Sequence, residues 1–297
     1  MSETLATSPP SDAAGSSAPF GAERAERVAA VAFDLDGTIY LSSELLPGAL
    51  ELVEALAMAG VPYLFATNNS SKTGAQYVEH LRSLGLRVTR REVLTSNDAA
   101  IAYLRGTSLR RPYLVATPEV VAEYRAEGIE ATGERPDSVL LTFDTTLTYD
   151  KLRRASDLIR AGLPYFATHP DLVCPTPSGP VPDCGAFAAL LHAATGAQPL
   201  VLGKPEATMA GAIRARLGVA AGTLAFVGDR LYTDVRMANA HGFLAVLTLT
   251  GEATRADLLA SPHVPDLVVD DLGGLHRYLH RVGTLEQRPS AEPGGGG

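Results

Sequence analysis

Two aspartates follow an almost wholly apolar stretch near the start of the chain. The stretch reads VAAVAFDLDGTIYL over residues 28–41 and places Asp34 and Asp36 two positions apart. Side chains two apart on a strand share a face, and Gly37 ends the run. Both acids are therefore expected at the carboxyl edge of a strand, where open α/β sheets bind ligands. Two carboxylates this close repel each other, which raises the pKa of one of them. A divalent cation between them, or different chemical roles for the two acids, would relieve this repulsion. Solvated turn aspartates are the simple alternative, since Asp-Gly is common in turns.

A second polar cluster, FATNNSSK over residues 65–72, lies between another apolar run and a helical pattern. Hydroxyl groups and free backbone N–H groups at a helix N-terminus form an anion site that the helix dipole strengthens. Capping of the helix by Ser70 or Ser71 is the alternative, and it does not exclude anion binding. The candidate anion-binding residues are Thr67, Asn68 and Asn69.

Two further clusters lie in the last third of the chain. LGKPEATMAGAIRARLG places Lys204 just before a helix predicted to begin at Pro205, although a lone lysine there is often a surface residue. LAFVGDRLYTDVRMANAHG ends a strand at Asp229 and continues to Asp234, which is either a helix cap or part of the site. Carboxylate oxygens at the ends of neighbouring strands are ligands that Mg²⁺ favours. Together the four clusters predict a phosphoryl-transfer centre.

Strand-length apolar runs alternate with amphipathic patterns, which indicates a doubly wound α/β fold with a parallel sheet. The apolar runs are VAAVAFDL, VPYLFATN, LAFVGD and FLAVLTLTG, and the first helices are PGALELVEALAMAG and GAQYVEHLRSLG. Residues 170–185 carry five prolines, which predicts an irregular loop before the helix AFAALLHAATG. We predict a catalytic core over 25–96 and 203–282, with a second domain inserted over 97–202.

Composition narrows the class of protein. The chain has 297 residues, 46% of them hydrophobic, and a net charge of −8. This charge argues against nucleic-acid and anionic-membrane partners. Because it also repels phosphate, a bound phosphate group needs positively charged groups close to it. We find no stretch of roughly 18 to 20 uncharged apolar residues. The first twenty residues lack the basic start and apolar core of a signal peptide, so none is expected there. We expect disordered tails over 1–24 and 283–297. Two cysteines, Cys174 and Cys184, fit a reducing, cytoplasmic location.

The motifs DLDGTIY, TNNSS, GKP and GDRLYTD resemble, in this order, the four motifs of the haloacid dehalogenase-like phosphatases. The resemblance covers roughly residues 28 to 280. The GKP and TNNSS forms, with THPD in the insertion, resemble the subfamily of nucleotide, phosphoglycolate and nitrophenyl-phosphate phosphatases (subfamily IIA). This resemblance implies a Rossmann-like core with the Asp34 strand at its centre and an inserted α/β cap of the C2 type.

The resemblance also implies roles for the motif residues. Asp34 is the expected nucleophile and Asp36 the general acid/base, which favours phosphate esters because a dehalogenase has no alkoxide to protonate. Mg²⁺ is expected on Asp34, Asp229 and the backbone carbonyl of Asp36. Thr67, the Asn68 backbone N–H and Lys204 are expected to neutralise the charge on the phosphoryl oxygens. Asp234 is expected to position Lys204 or a metal-bound water.

Substrate choice is expected to lie in the cap. The candidate contacts are His169, Asp171 and Asp183, with loop-stabilising hydrogen bonds as the alternative for each. Relatives often carry Asn at the position of His169 and Gly at that of Asp183. A zinc site formed by His169, Cys174 and Cys184 matches no standard spacing.

The sequence therefore predicts a Mg²⁺-dependent phosphatase, a phosphoric monoester hydrolase acting on a small phosphorylated metabolite such as a sugar, polyol or nucleotide phosphate. A dedicated biosynthetic phosphatase for one sugar- or cyclitol-phosphate is an alternative within the same chemistry, beside a general housekeeping hydrolase. A receiver-like phospho-acceptor switch is a non-enzymatic alternative, which Asp36 and the large insertion disfavour. A binding module is a third, disfavoured by the acid at every motif position. Cap-mediated dimers occur among relatives, so a homodimer is expected as an option.

Overall fold

A computed structural model describes residues 27–131, 133–176 and 178–286. The tail predicted over 1–24 lies outside these residues, as does 287–297 of the predicted C-terminal tail. Residues 283–286 do not behave as a tail, because Thr284 is buried and its backbone N–H donates to Leu279 O at 3.0 Å.

Strands and helices alternate along the chain, as predicted. The strands are β1 Ala30–Phe33, β2 Tyr40–Leu41, β3 Glu44–Leu45, β4 Tyr63–Thr67, β5 Val93–Thr95, β6 Pro112–Val115, β7 Ser138–Leu141, β8 Tyr165–Ala167, β9 Val173–Cys174, β10 Val181–Pro182, β11 Leu200–Val201, β12 Leu224–Gly228, β13 Leu244–Thr248 and β14 Leu267–Val269. The helices are α1 Ala49–Met58, α2 Gly74–Ser83, α3 Ser96–Arg105, α4 Pro118–Ala126, α5 Tyr149–Arg160, α6 Cys184–Thr195, α7 Ala207–Leu217, α8 Arg236–His241, α9 Arg255–Ala260 and α10 Leu272–Arg281.

The larger sheet has six parallel strands in the order β14-β13-β12-β1-β4-β5, so β1 is central. Alternate residues of β1 enter separate apolar layers: Val31 and Phe33 pack on one face, and Ala30 and Ala32 on the other. A strand covered on both faces needs apolar residues at every position, which explains the continuous run in the sequence. This arrangement confirms the doubly wound α/β core.

A second parallel sheet, in the order β11-β8-β7-β6, is built from the middle of the chain. Helices α3 and α4 contribute to the apolar cluster on one face, and α5 and α6 to the cluster on the other. Helix α3 contacts both halves of the molecule, because Ala99 packs with the larger sheet and Leu104 with the smaller one. The smaller sheet is the predicted α/β cap, while its boundaries at 97 and 202 stay predictions.

Three local predictions differ from the structure. The proline-rich segment 170–185 is not wholly irregular, because β9 and β10 form a short antiparallel ribbon and α6 begins at Cys184 instead of residue 186. Helix α7 begins at Ala207 and not at Pro205, with Glu206 at its N-cap position. Strand β1 ends at Phe33, two residues before the end of the predicted run VAAVAFDL, and the chain then turns.

The fold places the functional residues through one feature of the larger sheet. Strands β4, β1 and β12 are neighbours and run in the same direction, so their carboxyl ends meet at one edge. Thr67, Asp34 and Asp229 lie at or just beyond those ends. Within the described ranges, we find no helix that is both long and apolar enough to span a membrane.

Candidate active site

The turn after β1 positions the two aspartates differently. Asp34 stays in the sheet, with its backbone N–H donating to Val227 O at 2.8 Å. The chain then curls around Leu35, and Tyr40 donates its hydroxyl to Asp36 Oδ2 at 3.4 Å. Gly37 has φ +85°, and a Cβ there would lie 2.5 Å from Asp229 Oδ2. Glycine at this position therefore allows both the turn and the close approach of the two strand ends.

Lys204 lies between two carboxylates in the centre of the site. Its Nζ is 2.5 Å from Asp34 Oδ1 and 2.8 Å from Asp234 Oδ1, and its side chain is 3% exposed. Burial disfavours the charged ammonium, but Asp234 and Asp34 outweigh burial and raise the pKa of Lys204. Asp234 does not cap a helix, because it lies inside the π-helical turn Leu231–Val235 that leads into α8. Its contact with Lys204 is the positioning contact that the sequence predicts.

Three buried carboxylates form a cluster that fits a metal ion. One oxygen from each of Asp34, Asp229 and Asp234 lies within 4.8 Å of the others. Glu252 donates its backbone N–H to Asp229 Oδ2 at 2.7 Å, whereas the buried Asp229 Oδ1 has no hydrogen-bond partner among the described residues. Burial and the charges of Asp34 and Asp234 raise the pKa of Asp229 well above its usual value. Hard carboxylate oxygens with an unmet need for positive charge suit a divalent cation.

Asp36 has the electrostatics of a proton-transfer group. Burial, followed by the charge of Asp34, raises its pKa to about 6, and the positive charges of Arg230 and Lys72 oppose the rise. A carboxyl group with a pKa near the working pH is able both to donate and to accept a proton. The bottom of the site is thus a carboxylate, Asp34, held by a lysine, beside a carboxyl group of moderate acidity.

The TNNSS loop follows β4 but does not lie at the start of a helix. Helix α2 begins at Gly74, and Thr73 caps it through a capping box with Gln76. Ser70 and Ser71 therefore do not cap this helix, and its dipole does not act at Thr67. The loop contributes local polar groups instead: Asn69 donates its backbone N–H to Thr67 Oγ1 at 3.1 Å.

The side chain of Asn68 connects three parts of the site. Its Oδ1 accepts the Lys204 backbone N–H at 2.7 Å, and its Nδ2 donates to Lys204 O at 3.1 Å and to Asp171 Oδ2 at 2.9 Å. Gly203 makes this approach possible, because a Cβ there would lie 2.7 Å from Asn68 Oδ1. Asn68 thus fixes the lysine loop and reaches the cap.

The cap residues form a buried group above the core residues. His169 is fully buried, with Nδ1 3.1 Å from Asp171 Oδ2 and Nε2 3.4 Å from Asp183 Oδ1. Asp171 and Asp183 line the site cavity, but His169 lies behind them and does not. The predicted direct substrate contact of His169 is therefore not what the structure shows. Although burial favours the neutral carboxyl of Asp171, the imidazole of His169 and the guanidinium of Arg230 outweigh it and lower its pKa to about 2.

The geometry around the two cysteines differs from that of a zinc site. The nitrogens of His169 face carboxylates, and Cys184 Sγ donates to Leu141 O at 3.4 Å. Burial raises the pKa of each cysteine thiol to about 12, so both favour the protonated form. Cys174 lines the site cavity, but among the described residues it belongs to no group of side chains that could hold a metal ion.

Arg230 is a charged residue of the site that the sequence analysis missed, and Thr233 is a second missed residue in the cavity wall. Its Nε lies 2.9 Å from Glu252 Oε2, and its Nη1 lies 3.6 Å from Asp171 Oδ1 in the cap. It lines the cavity between core and cap. The sequence signal that could have identified Arg230 was its position directly after Asp229 in GDRLYTD. Nothing in the local pattern indicates that its side chain points to the cap.

Comparison with known proteins identifies the family. The profile of the haloacid dehalogenase-like hydrolases matches residues 31–130, and a related hydrolase profile matches residues 201–275. A 5'-nucleotidase of Bacillus subtilis is 32% identical over 240 residues, which cover 80% of this chain and 94% of that protein. The chain belongs to the haloacid dehalogenase-like hydrolases. The predicted family is confirmed.

Solved structures of relatives share the whole architecture of this haloacid dehalogenase-like hydrolase. The 4-nitrophenylphosphatase of Thermotoga maritima is 40% identical with a TM-score of 0.83, over 86% of this chain and 98% of that one. The glycerol phosphate phosphatase of Mycobacterium tuberculosis, solved in complex with calcium, is 33% identical with a TM-score of 0.78, over 85% of this chain and 76% of that one. These matches confirm the fold class and the predicted subfamily.

Proposed function

We propose that the protein is a Mg²⁺-dependent phosphatase that hydrolyses small phosphomonoesters through a phosphorylated Asp34. The observation that carries the proposal is the arrangement at the end of β1, where Lys204 Nζ lies 2.5 Å from Asp34 Oδ1 and Asp36 follows two residues later. Relatives named as a 5'-nucleotidase, a 4-nitrophenylphosphatase and a glycerol phosphate phosphatase support the same chemistry.

In this proposal a carboxylate oxygen of Asp34 attacks the phosphorus atom, and the bond from phosphorus to the ester oxygen breaks. Asp36, whose pKa near 6 keeps a protonated fraction available close to neutral pH, gives its proton to the leaving alkoxide. The ionised Asp36 then takes a proton from the water that attacks the phosphorylated Asp34. This water step releases phosphate and restores both carboxyl groups.

The other residues hold the transferred group and its charge. Lys204, Thr67 and the backbone N–H of Asn68 would neutralise the phosphoryl oxygens as charge moves in the transition state. Asp234 positions Lys204 through the 2.8 Å contact. Asp34, Asp229 and the Asp36 backbone carbonyl would hold Mg²⁺, which when bound offsets the repulsion between the anionic nucleophile and the phosphate. The calcium-bound relative and the unpaired Asp229 Oδ1 support a metal at this place.

The enclosed position of the site favours hydrolysis over a signalling role. The cavity at Asp34 is bounded by core and cap together, and its volume is about 30 Å³. A receiver-like switch must preserve its acyl phosphate, whereas Asp36 stands ready to activate water against it. A cytoplasmic location and a homodimer stay predictions within this proposal.

The test is phosphate release from a panel of phosphomonoesters by the wild type, Asp34→Asn and Glu130→Gln, with Mg²⁺ and with EDTA. Glu130 is exposed on the cap surface, so its variant controls for the loss of one acidic charge. We expect turnover by the wild type and Glu130→Gln with Mg²⁺, and none by Asp34→Asn or after EDTA. Turnover by Asp34→Asn at the wild-type rate, or no release from any ester, would overturn the proposal.

A further inference from the structure

Two adjacent cavities divide the space around the site. The inner one, about 30 Å³, contains Asp34 and Lys204 in its wall. The outer one, about 440 Å³, lies between the β2 region, the TNNSS loop and the cap. The two share Asp36, Asn69 and Cys174. The inner cavity is much the smaller of the two, so most of the room for the rest of the ester lies in the outer one.

The chemistry of Asp36 indicates where the rest of the ester lies. A general acid must come within hydrogen-bond distance of the oxygen that it protonates, here the ester oxygen of the leaving group. Asp36 lines both cavities, so the leaving group extends from the inner cavity past Asp36 into the outer one. The walls of the outer cavity then decide which esters bind.

The outer cavity has mostly aromatic and hydroxyl-bearing walls and one permanent positive charge. Tyr40 and His80 pack edge to face with their ring centroids 4.7 Å apart, and Phe143 and Tyr77 also line the space. The positive charge is Lys72, in the wall contributed by the TNNSSK segment.

Lys72 is the lysine whose ammonium makes no hydrogen bond or ion pair within the described residues, although its charge acts on Asp36. The chain has three lysines. Lys204 forms ion pairs with Asp34 and Asp234, and Lys151 forms one with Asp144. For the ammonium of Lys72, no hydrogen bond or ion pair is seen across the described part of the chain. Its charge reaches the cavity, since burial and then Lys72 lower the pKa of His80.

The overall charge makes this free cation significant. A net charge of −8 repels a substrate that carries a second negative group, so only a local cation is able to favour one. Lys72 is placed at the outer cavity, on the leaving-group side of Asp36, and not at the phosphoryl group. The buried carboxylates of Asp171 and Asp183 line the inner cavity and not the outer one.

We infer that Lys72 binds a second anionic group on the leaving group of the substrate, a carboxylate or a second phosphate, and so selects phosphomonoesters that carry one. This inference rests on the proposed phosphatase function of the same site. Lys72 is then a specificity-determining residue, distinct from the Lys204 that acts on the transferred phosphoryl group.

The test compares two esters of nearly equal shape, 3-phosphoglycerate and glycerol 3-phosphate, which differ in a carboxylate against a hydroxymethyl group. A second pair, fructose 1,6-bisphosphate and fructose 6-phosphate, tests a phosphate in place of the carboxylate. For each pair the readout is the ratio of kcat/KM for the ester with the second anionic group to that for the ester without it, in the wild type, Lys72→Met, Lys72→Arg and Arg87→Met. Arg87 is an exposed cation outside the cavity, so its variant matches the change in net charge.

We expect Lys72→Met to lower the ratio about fivefold in at least one pair, as for loss of an ion pair with partial solvent access, mainly through KM. Lys72→Arg should restore the ratio, and Arg87→Met should leave it unchanged. The pair that responds identifies a carboxylate or a phosphate as the second group. A ratio unchanged by Lys72→Met in both pairs, an equal fall in Arg87→Met, or wild-type hydrolysis only of the esters that lack the second anionic group overturns the inference. A wild type that hydrolyses no ester overturns the proposed function itself.

Discussion

Replacing Asp229 by Asn should stabilise the metal-free protein and remove its stabilisation by Mg²⁺. The three carboxylates of Asp34, Asp229 and Asp234 lie within 4.8 Å of one another and are all buried. In the metal-free protein, Lys204 pairs with Asp34 and Asp234 but not with Asp229. The substitution therefore removes a repulsive charge while the amide oxygen keeps the hydrogen bond from Glu252.

The size of the effect follows from the separation of the charges. Two unit charges 4.8 Å apart repel by about 3 kcal/mol at an effective dielectric constant of about 20. Asp229 relieves part of this repulsion by taking up a proton, because its pKa is raised, so we expect about 1–3 kcal/mol in the free energy of unfolding. A change of 1 kcal/mol moves Tm by roughly 2–4 °C in a protein of about this size.

The assay is thermal unfolding near neutral pH in EDTA and in excess Mg²⁺. In EDTA, Asp229→Asn should unfold several degrees above the wild type. In Mg²⁺ at about 100 times its Kd, the wild type should gain about 2.7 kcal/mol and the variant little or nothing. Glu130→Gln should follow the wild type in both buffers. A variant that is less stable than the wild type in EDTA, or that Mg²⁺ stabilises equally, would refute the assignment of this cluster as the metal site.

Three further predictions follow from the same geometry. Asp36→Asn should lose about 10²- to 10⁴-fold in kcat and still bind Mg²⁺, as measured by phosphate release and by the Mg²⁺-induced shift in Tm; a variant with wild-type kcat would contradict the role of Asp36. The pKa values of Asp36 and Asp234 are raised to about 6, so the folded metal-free protein binds protons more strongly than the unfolded chain, and these groups lower stability as pH rises from about 4 to 6. Since Mg²⁺ displaces protons, its effect on Tm should grow over this interval, and an effect independent of pH would be inconsistent with these values. His169→Ala should remove the imidazole that lies between the buried carboxylates of Asp171 and Asp183 and cost about 3 kcal/mol in urea unfolding; a loss below about 1 kcal/mol would show that their other hydrogen bonds hold them without His169.

The placement of the core residues was predictable because it depends on chain direction and run length. Parallel strands put their carboxyl ends at one edge, so Asp34, Asp229 and the TNNSS loop had to converge once their strands were recognised. The alternating burial along β1 explains why an uninterrupted apolar run marked its central strand. Asp234 was placed correctly near Lys204 by the family resemblance.

The helical pattern GAQYVEHLRSLG begins at Gly74, as α2 does, but its capping residue was misassigned although a local signal was present. The segment TGAQ at residues 73–76 is a capping box, with Thr73 and Gln76 exchanging hydrogen bonds with each other's backbone N–H groups. The many polar residues of TNNSS led instead to a predicted cap at Ser70 or Ser71. Ser70 instead contacts the cap domain, where its hydroxyl accepts the Phe143 backbone N–H at 2.8 Å.

The contacts between core and cap were beyond sequence reasoning for a physical reason. The 3.6 Å approach of Arg230 to Asp171 and the burial of His169 depend on how the second sheet sits over the first. No periodicity encodes that arrangement, because it arises from packing between residues far apart in the chain. The residue types His, Asp and Asp suggested direct contacts, and the structure separates the two acids in the cavity wall from the histidine behind them.

The central claim is that Asp34 becomes phosphorylated and is then hydrolysed. The most direct measurement is acid quenching of the wild type and Asp34→Asn during turnover of a radiolabelled phosphomonoester with Mg²⁺, followed by mapping of the labelled peptide. The account predicts a hydroxylamine-sensitive label on the peptide containing Asp34, which disappears as substrate is exhausted and is absent from the variant. Turnover without any such label would contradict the account, and a label that persists without phosphate release would mark the protein as a phospho-acceptor switch.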